Sequence, residues 1–229
     1  MSALLLLAGA AAFGLMALSD WLCVLRGRAW GGRLFAAGCL LLAGATAGLL
    51  AGRGAPRPAS LPWWALAAGM LALLLYTLLG ALPAGGSHLM PPTEPALRPL
   101  VDTGVYALCR HPGVLWLGGF YLFAWCAAGG WPLLAAFVLF TGLDVAYVLW
   151  QDRVIFPVSI EHYRLYQQTT PFLVPSAASL RRCLRRRRYD GRGISAQCAG
   201  LRGRALGGFA RASARCRGDG TWADDRHPV

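Results

Sequence analysis

The chain has 229 residues, of which 56% are hydrophobic and only 14% charged, with a mean hydropathy of +0.48. A soluble domain is typically about a quarter charged, so this composition excludes the ordinary soluble class and points to an integral membrane protein. All 22 basic residues behind the net charge of +12 are arginine, seven before residue 150 and fifteen after it, so the charge describes a C-terminal tail more than the fold.

Apolar runs set the organisation. The first, from about Ser2 to Leu18, ends at Asp20 and lacks the basic start of a signal peptide, so it is expected to be a retained first span. The second runs from about Leu34 to Ala51. The third runs from about Pro62 to Leu82, opening on Trp63 and Trp64, whose rings suit a membrane interface, and closing at Pro83. A Pro- and Gly-rich polar connection, 83–112, follows. Two further runs, about Pro112–Ala128 and Pro132–Trp150, are separated only by Gly129, Gly130 and Trp131. That spacing predicts a tight helical hairpin, with glycine ending one helix and proline starting the next.

Backbone groups in lipid must be satisfied internally, so all five runs are predicted helical. The expected fold is all-α, a polytopic membrane protein of about five transmembrane helices with a C-terminal helical hairpin. Residues 1–82 carry the first three spans. Residues 83–175 form a core made of the connection, the hairpin 112–150 and a polar segment, and 176–229 form a basic tail. An odd span count puts the termini on opposite sides. Placing the tail in the cytoplasm leaves only Arg53 and Arg57 outside and puts Arg26, Arg28, Arg33, Arg98 and Arg110 inside, which the positive-inside rule favours.

Two polar segments then share one face. The first is "TGVYALCRHPGVLW", Thr103–Trp116, and the second is "QDRVIFPVSIEHYRLYQQTTPFLVP", Gln151–Pro175. In the second, Tyr163 and Tyr166 are spaced to share a helical face. Asp144, inside the fifth run and eight residues before Asp152, is an acid within a membrane helix and so a functional candidate by default. Seven cysteines form no CxxC pair, and neither a disulfide framework nor a metal site is expected.

"GVYALCRHP", a hydrophobic hairpin, an acidic site, "EHYRLY" and "TPFLVP" occur in an order that resembles the isoprenylcysteine carboxyl methyltransferases and the related phospholipid N-methyltransferases. The resemblance covers residues 99–175. It implies an S-adenosylmethionine-dependent membrane methyltransferase acting on a lipid-like acceptor, in a bacterial-type cytoplasmic membrane. The family's contacts imply that Arg110, His111 and Pro112 bind the cofactor, at a helix N-terminus that favours its carboxylate. Tyr106, Tyr163 and Asp144 are further cofactor-binding candidates. Where the family typically has Glu-Glu, this chain has Gln151-Asp152. Where the family often has a tyrosine and then a glycine after R-H-P, it has Val114 and Trp116.

Asp152, Arg153 and Arg164 are the catalytic candidates, an arginine orienting a carboxylate acceptor or a base such as Asp152, Glu161 or His162 serving an amine. Alternatives are a non-catalytic protein on the same scaffold, or a nicotinamide-dependent membrane reductase of sterol or isoprenoid type. The tail, "RRCLRRRR" onwards, is expected to be disordered and to attract anionic lipid. It has no nucleic-acid-reading module beside it.

Overall fold

The structure, a computed structural model, describes residues 1–51, 58–80 and 100–186. Among these there are helices and no β-strand. The five long ones are α1 (Ser2–Asp20), α2 (Gly32–Ala51), α3 (Leu61–Leu75), α4 (Pro112–Ala128) and α5 (Trp131–Trp150). Three short ones follow: α6 (Phe156–Ser159), α7 (Tyr163–Thr169) and α8 (Ala177–Arg186). Among the described residues, four helical stretches are long and apolar enough to cross a membrane: Ser2–Leu25, Gly32–Ala51, Pro58–Leu79 and Trp131–Ser159. Helix α4, at 17 residues, is the shorter partner in the hairpin. At 1.5 Å per residue it reaches about 26 Å, near the lower limit for a bilayer core. The expected all-α polytopic architecture with its C-terminal hairpin is therefore what the chain adopts.

Two of the long helices, α1 and α5, run further than their apolar runs. Helices α1, α3 and α5 each continue into a π-helical turn, Trp21–Leu25, Tyr76–Gly80 and Gln151–Ile155. The first apolar run was expected to end at Asp20 and the fifth at Trp150, before the polar segment that starts at Gln151. The helices do not end there, because Asp20, Gln151 and Asp152 have side-chain partners inside the bundle and need no water. The chain after Trp150 continues through α6, where Pro157 sits in the first turn and its missing N–H is no loss. The connection 83–112 is described only from residue 100, and Arg53, Arg57 and Arg98 lie outside the described residues. So does most of the tail. Its first residues, expected to lack structure, instead form α8, which packs on the 3₁₀ turn Gly104–Ala107. Ser179 is fully buried there, and Ser176 and Ser179 exchange hydrogen bonds around the helix start, a cap that arginine composition alone conceals.

The long helices pack in a row, with α2 on α1, α1 on α5, α5 on α4 and α4 on α3. Helices α2 and α3, at the two ends of the row, do not form a packed pair. Small residues set the close contacts, as expected where lipid offers helices no hydrophobic drive to associate. Gly9 lies under the Phe140 ring, Gly118 against Thr141 and Gly119 against Met70. Phe140 also meets Tyr121 edge-on at 5.3 Å and Phe13 at 6.3 Å, tying α5 to α4 and α1.

A methyl group on Gly38 would lie 2.9 Å from the Ala12 carbonyl oxygen and 2.9 Å from Met16 Cγ. Because the first of these is backbone, Gly38→Ala must push α2 off α1. We expect a loss of about 1–3 kcal/mol, read as a lower thermal midpoint in detergent. An unchanged midpoint would mean that this helix pair is looser than its geometry indicates.

Candidate functional site

The hairpin returns α5 to the end of the bundle where α1 and α3 finish and α4 begins. Every arginine among the described residues belongs to this end: Arg26, Arg28, Arg33, Arg110, Arg153, Arg164 and those of α8. Two polar clusters form here.

The first cluster centres on Asp152, which is buried at 6% exposure. Its Oδ1 accepts from Tyr163 Oη at 2.6 Å and lies 3.1 Å from His111 Nε2. Its Oδ2 accepts from Arg110 Nη2 at 3.2 Å and Gln167 Nε2 at 3.1 Å. Arg110 Nη1 donates to the Gln167 carbonyl at 2.7 Å. Arg110 Nε lies 3.1 Å from Oδ1 but finds no hydrogen-bond partner among the described residues. The stretch Pro171-Phe172 runs alongside, its two carbonyls accepting from the backbone N–H groups of Arg110 and His111 at 2.9 and 3.3 Å. The Phe172 ring lies 5.6 Å from the Arg110 guanidinium, and the His111 ring stacks on Phe156 at 5.7 Å. The "RHP" and "TPF" pieces therefore meet in space, joined by Asp152.

Burial lowers the His111 pKa, and the Asp152 hydrogen bond only partly offsets this. The neutral ring that burial favours donates from Nε2 to Asp152, which assigns the tautomer. Burial raises the Tyr163 hydroxyl well above its ordinary value, and its bond to Asp152 raises it further, so it remains a donor. Burial likewise pushes Tyr106 up to about 12.

The second cluster was missed by reading the sequence. Asp20 Oδ2 accepts from Tyr147 Oη at 2.5 Å and from Gln151 Nε2 at 2.7 Å. Gln151 also donates to Tyr147 Oη at 2.8 Å. Gln151 is thus tied to α1 rather than to the RHP stretch. The detectable cue was an acid at the end of the first apolar run, which reads equally well as a stop.

A cavity of about 500 Å³ opens beside both clusters, between the helices. Tyr106, Arg110, His111, Pro112 and Asp144 all line it, and α2, α3 and α4 supply most of its apolar wall. Thr46 on α2 and Tyr121 on α4, 2.5 Å apart, bridge it deeper in the bundle. Tyr163 does not line it but holds Asp152 from behind. Arg153 and Arg164, the proposed orienting arginines, are exposed and apart from this constellation, as are Glu161 and His162. The reason is local: with Asp152 turned inward on its helix, its neighbour Arg153 points out. Burial of Tyr163 and Tyr166, which share a face as expected, leaves Arg164 on the other.

The residues present suit an anion such as an amino-acid carboxylate. Pro112 is the first residue of α4 and Gly113 and Val114 line the cavity, so the free N–H groups of a helix start lie at its wall. No family model, no curated protein and no solved structure matches the chain.

Proposed function

We propose that the protein is an S-adenosylmethionine-dependent membrane methyltransferase acting on a lipid-like acceptor. One observation carries the reading: a single cavity is lined at one end by Tyr106, Arg110, His111 and Pro112, and along its length by apolar side chains of α2, α3 and α4. A polar cofactor with a carboxylate fits the first part and an apolar acceptor the second. Catalysis in such a site rests on positioning and on excluding water, which the mostly apolar lining of the cavity favours. On this reading the arginine-rich end faces the cytoplasm and the N-terminus lies outside. The basic α8 then faces anionic headgroups.

A second reading has an observation in its favour. Asp152 is filled by donors from four side chains, as a purely structural clamp would be. In that case the scaffold is non-catalytic. The test is binding of S-adenosylmethionine and its demethylated product to the full chain in detergent. We expect micromolar binding, weakened at least tenfold in His111→Ala while the protein stays folded. Absence of binding to folded wild-type protein would favour the clamp.

A further inference from the structure

The cavity's charged groups are not equally satisfied. Arg110 and His111 are both engaged with Asp152. Asp144 lines the same cavity yet has no hydrogen-bond or ion-pair partner among the described residues. It lies on one face of α5 with Tyr147, Val148 and Gln151, all of which line the cavity. Eight residues separate it from Asp152, so it sits about 12 Å deeper along the helix axis. The two polar side chains on its own face give it no relief, because Tyr147 and Gln151 both donate to Asp20.

An unpaired acid inside a membrane protein is costly and marks a ligand or ion pathway rather than a packing role. Among the described residues no basic side chain pairs with Asp144. The chain has no lysine, and the described arginines belong to the end that holds Asp152. The walls of the cavity are mostly hydrocarbon, including Leu42 and Ala43 of α2, Leu71 and Leu74 of α3, and Leu117 of α4. A cationic ligand would supply the counter-charge that lets Asp144 ionise, and the mostly apolar walls suit a hydrocarbon body.

We propose that the cavity binds an organic cation with a hydrocarbon chain, a long-chain amine, with its ammonium group against the Asp144 carboxylate and its chain along the leucines of α2 and α3. A carboxylate-headed amphiphile would instead bring like charge to Asp144. The assignment does not depend on methyl transfer. Where both hold, it selects an amine over a carboxylate as the acceptor class.

The experiment uses the full chain in maltoside micelles with tritiated decylamine as the probe, and unlabelled decylamine, decanol and decanoate as competitors. We expect decanol and decanoate to compete at least tenfold more weakly than decylamine. Asp144→Asn should bring decylamine and decanol within twofold of each other, at an unchanged thermal midpoint, and Asp144→Glu should keep the preference. Equal competition by decanol in wild-type protein, or a preference that survives Asp144→Asn, would overturn the assignment. S-adenosylmethionine binding to wild-type protein is measured on the same preparation. An amine preference in wild-type protein that binds no S-adenosylmethionine would leave the amine site standing and remove the methyltransferase reading alone.

Discussion

Asp152→Ala is expected to lower stability by about 3–5 kcal/mol, the cost of removing one partner from a buried ion pair and leaving the other uncompensated. The reason is the number of donors it strands. Arg110, His111, Tyr163 and Gln167 converge on this carboxylate from two chain segments, with Asp152 itself on the extension of α5. Without it, Arg110 keeps only the Gln167 carbonyl, and the Tyr163 hydroxyl is buried with no acceptor. Asp152→Asn keeps one accepting oxygen but turns an NH₂ group towards donors, so its loss should be intermediate. Thermal midpoints in detergent, followed by tryptophan emission, rank the three proteins. A midpoint for Asp152→Ala equal to wild type would mean that the segments hold together without the carboxylate.

The second large effect is expected at Asp20. Asp20→Leu leaves Gln151 and Tyr147 to each other, with their shared donors no longer served by a charged acceptor. At about 1–3 kcal/mol for each stranded buried group, a combined loss of about 2–4 kcal/mol is expected. Coupling distinguishes a network from two separate contacts. In a double-mutant cycle with Gln151→Leu, the paired loss should fall well short of the sum. Strict additivity would show that Asp20 and Gln151 stabilise the bundle independently.

Much of the fold is legible in the sequence because lipid leaves the backbone so few options. Five apolar runs became the five long helices, and the predicted start and end of α4 coincide with the observed ones, since Pro112 and Gly129 punctuate the chain at both ends. Where punctuation was chemical rather than conformational, the reading failed. Asp20 and Asp152 look like stops in a hydropathy profile, yet each is satisfied by side chains 11 to 131 residues away, pairings that no hydropathy pattern encodes. The arginines mislead for a related reason. Arg153 and Arg164 carry the charge that a carboxylate acceptor would want, but side-chain direction depends on the inward turn of Asp152, Tyr163 and Tyr166. The tyrosine pair at helical spacing carried that information, and it pointed to burial.

The open row of helices has an energetic consequence. Every packed helix pair, α2–α1, α1–α5, α5–α4 and α4–α3, lies on one continuous side of the cavity, and the seam between α2 and α3 contributes none of them. Parting that seam by the width of a hydrocarbon chain would sacrifice no packed helix pair, and at most the Thr46–Tyr121 hydrogen bond between α2 and α4. The leucines exposed in doing so would meet lipid tails, which are as apolar as leucine. In a protein surrounded by water the same displacement would expose hydrocarbon at about 25 cal/mol per Å². In a bilayer that penalty nearly vanishes, so the weakest boundary of the bundle is also the one whose solvent is the cavity's own kind of molecule.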